Sequence, residues 1–262
     1  MKDTRDTAAG RCIAITLDAF DISAAALEQA ARLAGRMGAK LEGIFVEDID
    51  LLNLAELPFL CEVRRSSRSV EAMSPVRMEQ EFRVLARRAE RLLGVQAARH
   101  HVAWSFRIWR GSIDTDLLDA AVEVDVLALT RLGSVLTRGH ITRSGHNAIA
   151  VLYGDSQSGR RALETATAMA TEQQATLNIL LPAAGETEPM TLQQEVLARL
   201  GGQAGPVVQF VALPDASLPA VVEALADTGS DALILQRDHE MLQTPTLRQC
   251  LNSLNCPLLV VR

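Results

Sequence analysis

The chain has 262 residues, of which 48% are hydrophobic, 22% charged and only 3% aromatic. That is ample for a core of Leu, Val, Ile and Ala, the composition of helices laid on a parallel sheet buried on both faces. The net charge of −6 speaks against a general nucleic-acid binder, which carries a basic surface.

Met1–Gly10 is polar and no apolar stretch follows it, so no signal peptide is expected. The apolar runs, such as Val124–Leu129, are too short for a membrane span. Cys12–Leu17 reads as a buried strand. Ser23 can cap the helix that follows, with Ala26, Leu27, Ala30, Leu33, Ala34 and Met37 on its inner stripe and Gly38 as its stop. Leu41–Val46 is the next strand. Leu51–Phe59 is an apolar insertion, either a helix covering its own sheet or a lid or partner surface, and residues 64–68 read as an exposed loop. In Val76–Leu93, Met78, Phe82, Leu85, Ala89 and Leu92 recur at helical steps and leave Arg83, Arg87, Arg88 and Arg91 on or beside the outer face. Val102–Trp109 is a strand, Asp114 or Thr115 caps a helix through Val122, and Val126–Thr130 is a fourth strand.

The same order then returns: strand Ala148–Tyr153, helix Gly159–Glu172, strand Thr176–Leu181, helix Leu192–Leu200, strand Val207–Leu213, helix Leu218–Ala226 and strand Ala232–Gln236. A last helix, Thr246–Leu254, and a closing strand, Pro257–Val261, complete the chain. Alternating strands and helices predict an α/β fold with doubly wound, mostly parallel sheets of Rossmann-like type, whose ligands sit at the carboxyl ends of the strands.

Two ordered blocks match each other. Arg11–Val46 aligns without a gap on Asn147–Pro182, with Ile13, Ala14, Ala26, Leu27 and Glu28 meeting Ile149, Ala150, Ala162, Leu163 and Glu164. Asp125-Val-Leu-Ala-Leu-Thr-Arg131 aligns on Asp231-Ala-Leu-Ile-Leu-Gln-Arg237. The reading is an internal duplication, with domain 1 over residues 1–145 and a shorter domain 2 over 146–262. After Thr130 only residues 131–146 precede the second copy, which leaves no room for a fifth strand in the first unless another segment supplies it.

Taken together, these blocks resemble the universal stress protein family in its tandem form. Cys12-Ile-Ala-Ile-Thr-Leu-Asp18 with Ser23 and Ala26-Leu27 looks like the family's first strand, its acidic residue and its first helix. Leu41-Glu-Gly-Ile-Phe-Val-Glu-Asp48 looks like its second strand, Gly111–Thr130 like its glycine, helix, Asp and strand block, and Asn255-Cys-Pro-Leu-Leu-Val-Val-Arg262 like its closing strand. In nucleotide-binding members an Asp ends the first strand, a Val ends the second, and a glycine motif follows the fourth, whose backbone N–H groups approach phosphate. Asp18, Val46 and Gly133 match these in the first copy, while Leu136 stands at the second glycine and the third falls near His146. In the second copy the acidic position falls on Gly154, with Asp155 displaced by one. Gln236-Arg-Asp-His239 and Thr244-Pro245 replace the glycine motif, and Pro245 has no N–H to give.

The candidate ligand residues are therefore Asp18, Val46, Arg131, Gly133 and Ser134, all in the first copy. Asp18 either orients a ribose or is a turn residue. Arg131, Gly133 and Ser134 either hold phosphate or form an exposed basic linker. Acid pairs such as Asp114 and Asp116 read as helix caps. The histidines show no ligand spacing, and the four cysteines (Cys12, Cys61, Cys250 and Cys256) form no CxxC pair, so free thiols in a reducing cytoplasm and no metal are expected. No Gly-x-Ser-x-Gly elbow is present and no catalytic residue is assigned. The resemblance implies a non-catalytic stress-response protein of the cytoplasm that binds a partner or small ligand, with ATP in domain 1 as the alternative. A protein partner through residues 51–93 and a homodimer using the edge of the closing strand are the expected associations; neither nucleic acid nor membrane insertion is.

Overall fold

The computed structural model of the chain describes residues 11–18, 22, 24–57, 61–63, 70–72, 74–113, 116–121, 123–129, 147–183, 188–201, 205–243, 247–254 and 256–262. In the first half, β1 (Cys12–Asp18), α1 (Ala24–Met37) and β2 (Lys40–Asp48) lead through α2 (Ile49–Ala55) and the short hairpin β3 (Cys61–Val63) and β4 (Val70–Ala72) into α3 (Pro75–Arg99). β5 (Trp104–Gly111), α4 (Leu117–Ala120) and β6 (Val126–Leu129) follow. The second half runs β7 (Ala148–Leu152), α5 (Gln157–Gln173), β8 (Thr176–Pro182), α6 (Pro189–Leu200), β9 (Val208–Leu213), α7 (Leu218–Thr228), β10 (Ala232–Gln236), α8 (Glu240–Gln243), α9 (Leu247–Ser253) and β11 (Leu258–Val261).

Nine strands form one sheet in the order β5-β2-β1-β6-β11-β10-β7-β8-β9, parallel everywhere except at the β6–β11 junction. Strands such as β6, β7 and β11 are buried at every residue, as strands covered on both faces must be. One face carries Ile13, Ile15 and Leu17 under α1 and α3, and Ile149, Val151 and Tyr153 under α5. The other carries Ala14, Val46 and Leu127 with Leu117, Val221 and Leu251. α1 ends where Gly38 takes φ +59, a backbone conformation that glycine enters without steric cost.

Corresponding strands of the two halves share one register. Ile13 faces Val126 as Ile149 faces Ala232, and Cys12 faces Lys40 as Ala148 faces Thr176. Both matched sequence blocks thus occupy matching places. The aspartate that opens the second block has the same task twice: Asp125 accepts from the Cys12 N–H at 2.7 Å, and Asp231 from the Ala148 N–H at 3.3 Å.

Several sequence expectations need correction. The closing strand β11 offers no free edge, because it pairs with β10 on one side and antiparallel with β6 on the other. A homodimer built on that edge loses its basis. The same pairing answers what completes the first half: its four strands are closed by the second half's β11. The helix expected through Val122 is a single turn, Leu117–Ala120, and Asp114 and Thr115 lie outside the described residues. The apolar insertion begins as α2, capped by Asp48, whose carboxylate accepts from the Asp50 N–H at 3.1 Å. Its hairpin β3–β4 was unexpected, since its strands are only three residues each. Among the described residues no helix is long and apolar enough to cross a membrane.

Candidate functional site

At the carboxyl ends of the first-half strands, the backbone register lines up Asp18, Val46 and Trp109 across β1, β2 and β5. Two of the expected ligand residues are therefore neighbours. Val46 is fully buried and belongs to the core on that face, so what it offers a ligand is backbone and van der Waals surface. Trp109 packs against the same cluster, and its indole folds back over Gly111, where an added Cβ would stand 2.4 Å from its Cζ2. The other three expected residues, Arg131, Gly133 and Ser134, lie outside the described residues, as do Leu136 and His146.

The next residues along β2 form a charged rim. Glu47 is buried and receives the Arg110 guanidinium at 2.9 Å from Nε and 2.8 Å from Nη2, a two-point contact from the neighbouring strand. Glu79 of α3 meets the same Nη2 at 3.4 Å. The hydrogen bonds to Glu47, foremost among these contacts, hold Arg110 protonated still more firmly than usual. Ser112 donates its hydroxyl to Asp50 at 3.0 Å and its N–H to Asp116 at 3.2 Å. This network locks β5 and α3 to the end of β2. It was missed in the sequence because Glu47, Glu79 and Arg110 are far apart in the chain and only the parallel register brings them together.

The equivalent place in the second half is occupied by the protein itself. Ser156 caps α5, accepting from the Gly159 N–H at 2.9 Å, and donates to Gln236 Oε1 at 2.9 Å. Ser158 lies 2.9 and 3.0 Å from the two Asp238 carboxylate oxygens. Packing is tight as well as satisfied: a Cβ on Gly159 would fall 2.1 Å from the Gly154 carbonyl oxygen and 2.8 Å from Gln236 Oε1. A nucleotide phosphate here would meet a carboxylate and displace side chains that already pair with one another.

Arg237, the partner of Arg131 in the matched blocks, has a separate task. It donates to the carbonyls of Leu118 at 2.6 Å and Ala121 at 3.4 Å, and lies 3.6 Å from Asp119. A cation on the last carbonyls of α4 suits that end of a helix. Arg237 thereby ties the end of β10 to the first half.

The described thiols are poor nucleophiles. Burial pushes Cys250 up to about 11 and Cys256 up to about 12, and Cys12 is also raised, first by burial. Burial lowers the pKa of His239, whose Nδ1 accepts from the Met241 N–H at 3.1 Å in the turn that leads into α8. Among the described residues no three His, Cys, Asp or Glu side chains gather as metal ligands do.

No family model matches the sequence, and no curated protein matches it significantly. Among solved structures, the chain is similar to a universal stress protein from Archaeoglobus fulgidus DSM 4304, with a TM-score of 0.57, 12% identity and 96% of each chain covered. It is also similar to a functionally unknown protein from Pseudomonas aeruginosa PAO1, with a TM-score of 0.50, 11% identity, and 96% of this chain and 92% of that one covered. At such identities the likeness is one of architecture: over nearly its whole length the chain has the α/β fold of a solved universal stress protein.

Proposed function

We propose that the chain is a tandem, non-catalytic regulatory protein of the universal stress type, which acts in the cytoplasm by binding a partner or a small ligand. The observation that carries this reading is the filled crevice of the second half, where Ser156, Ser158, Gln236 and Asp238 satisfy one another in the place a phosphate loop would need. Three further observations support it. The two halves repeat one strand register, Arg237 has become a clamp between them, and Trp109 packs in the row of Asp18 and Val46.

A second reading is favoured by one specific feature. Asp18 and Val46 are paired in register at the strand ends of the first half, as a single nucleotide site there requires. In that reading ATP binds once per chain, with Arg131, Gly133 and Ser134 on its phosphates.

Calorimetric titration with ATP, with and without magnesium, beside Asp18→Ala, separates the two. Absence of heat up to about millimolar ATP, a binding free energy of only about −4 kcal/mol, supports the first reading, a module that acts through a partner or a small ligand other than ATP. Tight binding at one site per chain, lost in Asp18→Ala, would establish the nucleotide switch instead. Two sites per chain would contradict the filled crevice.

A further inference from the structure

The outer edge of the first half carries a surface that the nucleotide question does not touch. β5 ends the sheet: it pairs with β2 on one side, and among the described residues no strand pairs with the other. Such an edge is a row of unpaired N–H and C=O groups that can take a further strand. Two large apolar side chains lie exposed on it, Trp104 at 41% and Ile108 at 51%. Strand alternation puts both on the face of Phe106, which packs into the core beneath α3.

α3 overhangs that face. A Cβ on Gly94 would stand 3.0 Å from the Trp104 indole, and Arg110 donates to Glu79 at 3.4 Å. Helical spacing sets Arg83 and Arg87 on the flank between these two contacts, with Arg91 beside them. All are exposed. Arg83 lies 3.6 Å from Glu79, but Arg87, Arg88 and Arg91 have no acidic partner among the described residues. Arg91 Nε donates to the Arg87 carbonyl at 3.2 Å, and in a chain of net charge −6 these guanidiniums without a carboxylate partner are a local exception.

We propose that this edge binds an extended acidic segment of a partner protein, which adds to β5 as a further strand and turns carboxylates on alternate residues toward Arg87 and Arg91. The proposal rests on the partner-binding reading above. Two features select the occupant. The edge offers main-chain groups in strand geometry, which neither a headgroup layer nor a duplex can match. A wide anionic surface would also meet the acidic remainder of the protein, whereas a peptide senses only charges within a screening length of about 8–10 Å. The opposite edge, β9, reads Val208-Gln-Phe-Val-Ala-Leu213 and carries no charge to recruit such a segment.

The test uses the full chain and a fluorescein-labelled peptide of alternating Glu and Val, with a Lys-Val peptide as control, followed by anisotropy and by tryptophan emission. Expected are binding of the Glu-Val peptide alone, weakening as salt rises from about 50 to about 500 mM, and a change in the emission to which Trp104 contributes. Arg87→Glu with Arg91→Glu, both exposed, is expected to leave the unfolding midpoint in place and weaken binding about tenfold. The proposal is overturned if the Glu-Val peptide gives no signal, if the double variant binds it equally well, or if phosphatidylserine vesicles or duplex DNA bind more tightly than the peptide. Because the ATP titration is read through Asp18 at the end of β1 and the peptide test through Arg87 and Arg91 on α3, failure here and failure of a nucleotide site give separate results.

Discussion

Arg36 and Glu172 occupy equivalent positions in the two matched blocks, and they meet each other. Their side chains form an ion pair, and Arg36 Nη1 also donates to the Glu172 carbonyl at 3.3 Å. Equivalent residues of two related halves can touch only where the rotation axis between the halves passes. In a symmetric pair of identical chains that place would bring two like charges together. Here one is basic and the other acidic, which suits one chain holding both halves. Both side chains are partly exposed, 42% and 20%, so the pair is worth little more than a surface contact. Arg36→Glu is expected to cost about 0.5–1 kcal/mol in urea unfolding, and adding Glu172→Arg to restore most of it. If the double variant were no more stable than the single one, the contact would not be an energetic link between the halves.

The closing strand makes a stronger link. Val260 of β11 is buried and lies in register with both Leu127 of β6 and Leu235 of β10. Both tryptophans, Trp104 and Trp109, belong to the first half, so their emission follows that half alone. Val260→Ala opens a small cavity under strands of both halves and is expected to cost about 2 kcal/mol. The tryptophan and far-ultraviolet circular dichroism transitions are then expected to coincide in the parent and to shift together in the variant. Separate transitions, with the tryptophan signal unmoved by Val260→Ala, would show that the halves fold independently despite the shared strand.

The strand–helix alternation was legible because each element has a local cause. β1 is a run of apolar residues, α1 has its stripe and its Gly38 stop, and the repeat of Asp125–Arg131 in Asp231–Arg237 foretold two strands in equivalent places. What β11 pairs with could not be read, since an apolar tetrad such as Leu258–Val261 does not say on how many sides it is bonded. The hairpin β3–β4 escaped for a related reason: strands of three residues give too few alternations to register. The places of Asp18 and Val46 at strand ends were legible in the sequence, and the register makes the two neighbours. Arg237 was legible only as a match to Arg131; its contact with the carbonyls of Leu118 and Ala121 depends on the antiparallel seam, which the sequence does not announce.

Gly159 offers the sharpest test of the filled second-half crevice. It sits in the first turn of α5, where alanine would ordinarily favour the helix by up to about 1 kcal/mol. Its neighbours forbid that gain: the methyl group would press on the Gly154 carbonyl at 2.1 Å, a backbone atom that cannot swing aside, and on Gln236 Oε1 at 2.8 Å, which can. Gly159→Ala is therefore expected to destabilise the protein, by about 1–3 kcal/mol as overpacking does, read from the chemical-denaturation midpoint. Gln236→Ala on that background removes the softer clash, but it also takes the acceptor from Ser156. Only partial recovery is expected, because the carbonyl stays where it is. Neither variant should open an ATP site in the second half, since Asp238 still places its carboxylate beside Ser158 at the mouth of the helix. A stable Gly159→Ala protein would mean that the Gly154 turn has slack, and that the crevice is filled less tightly than these contacts require.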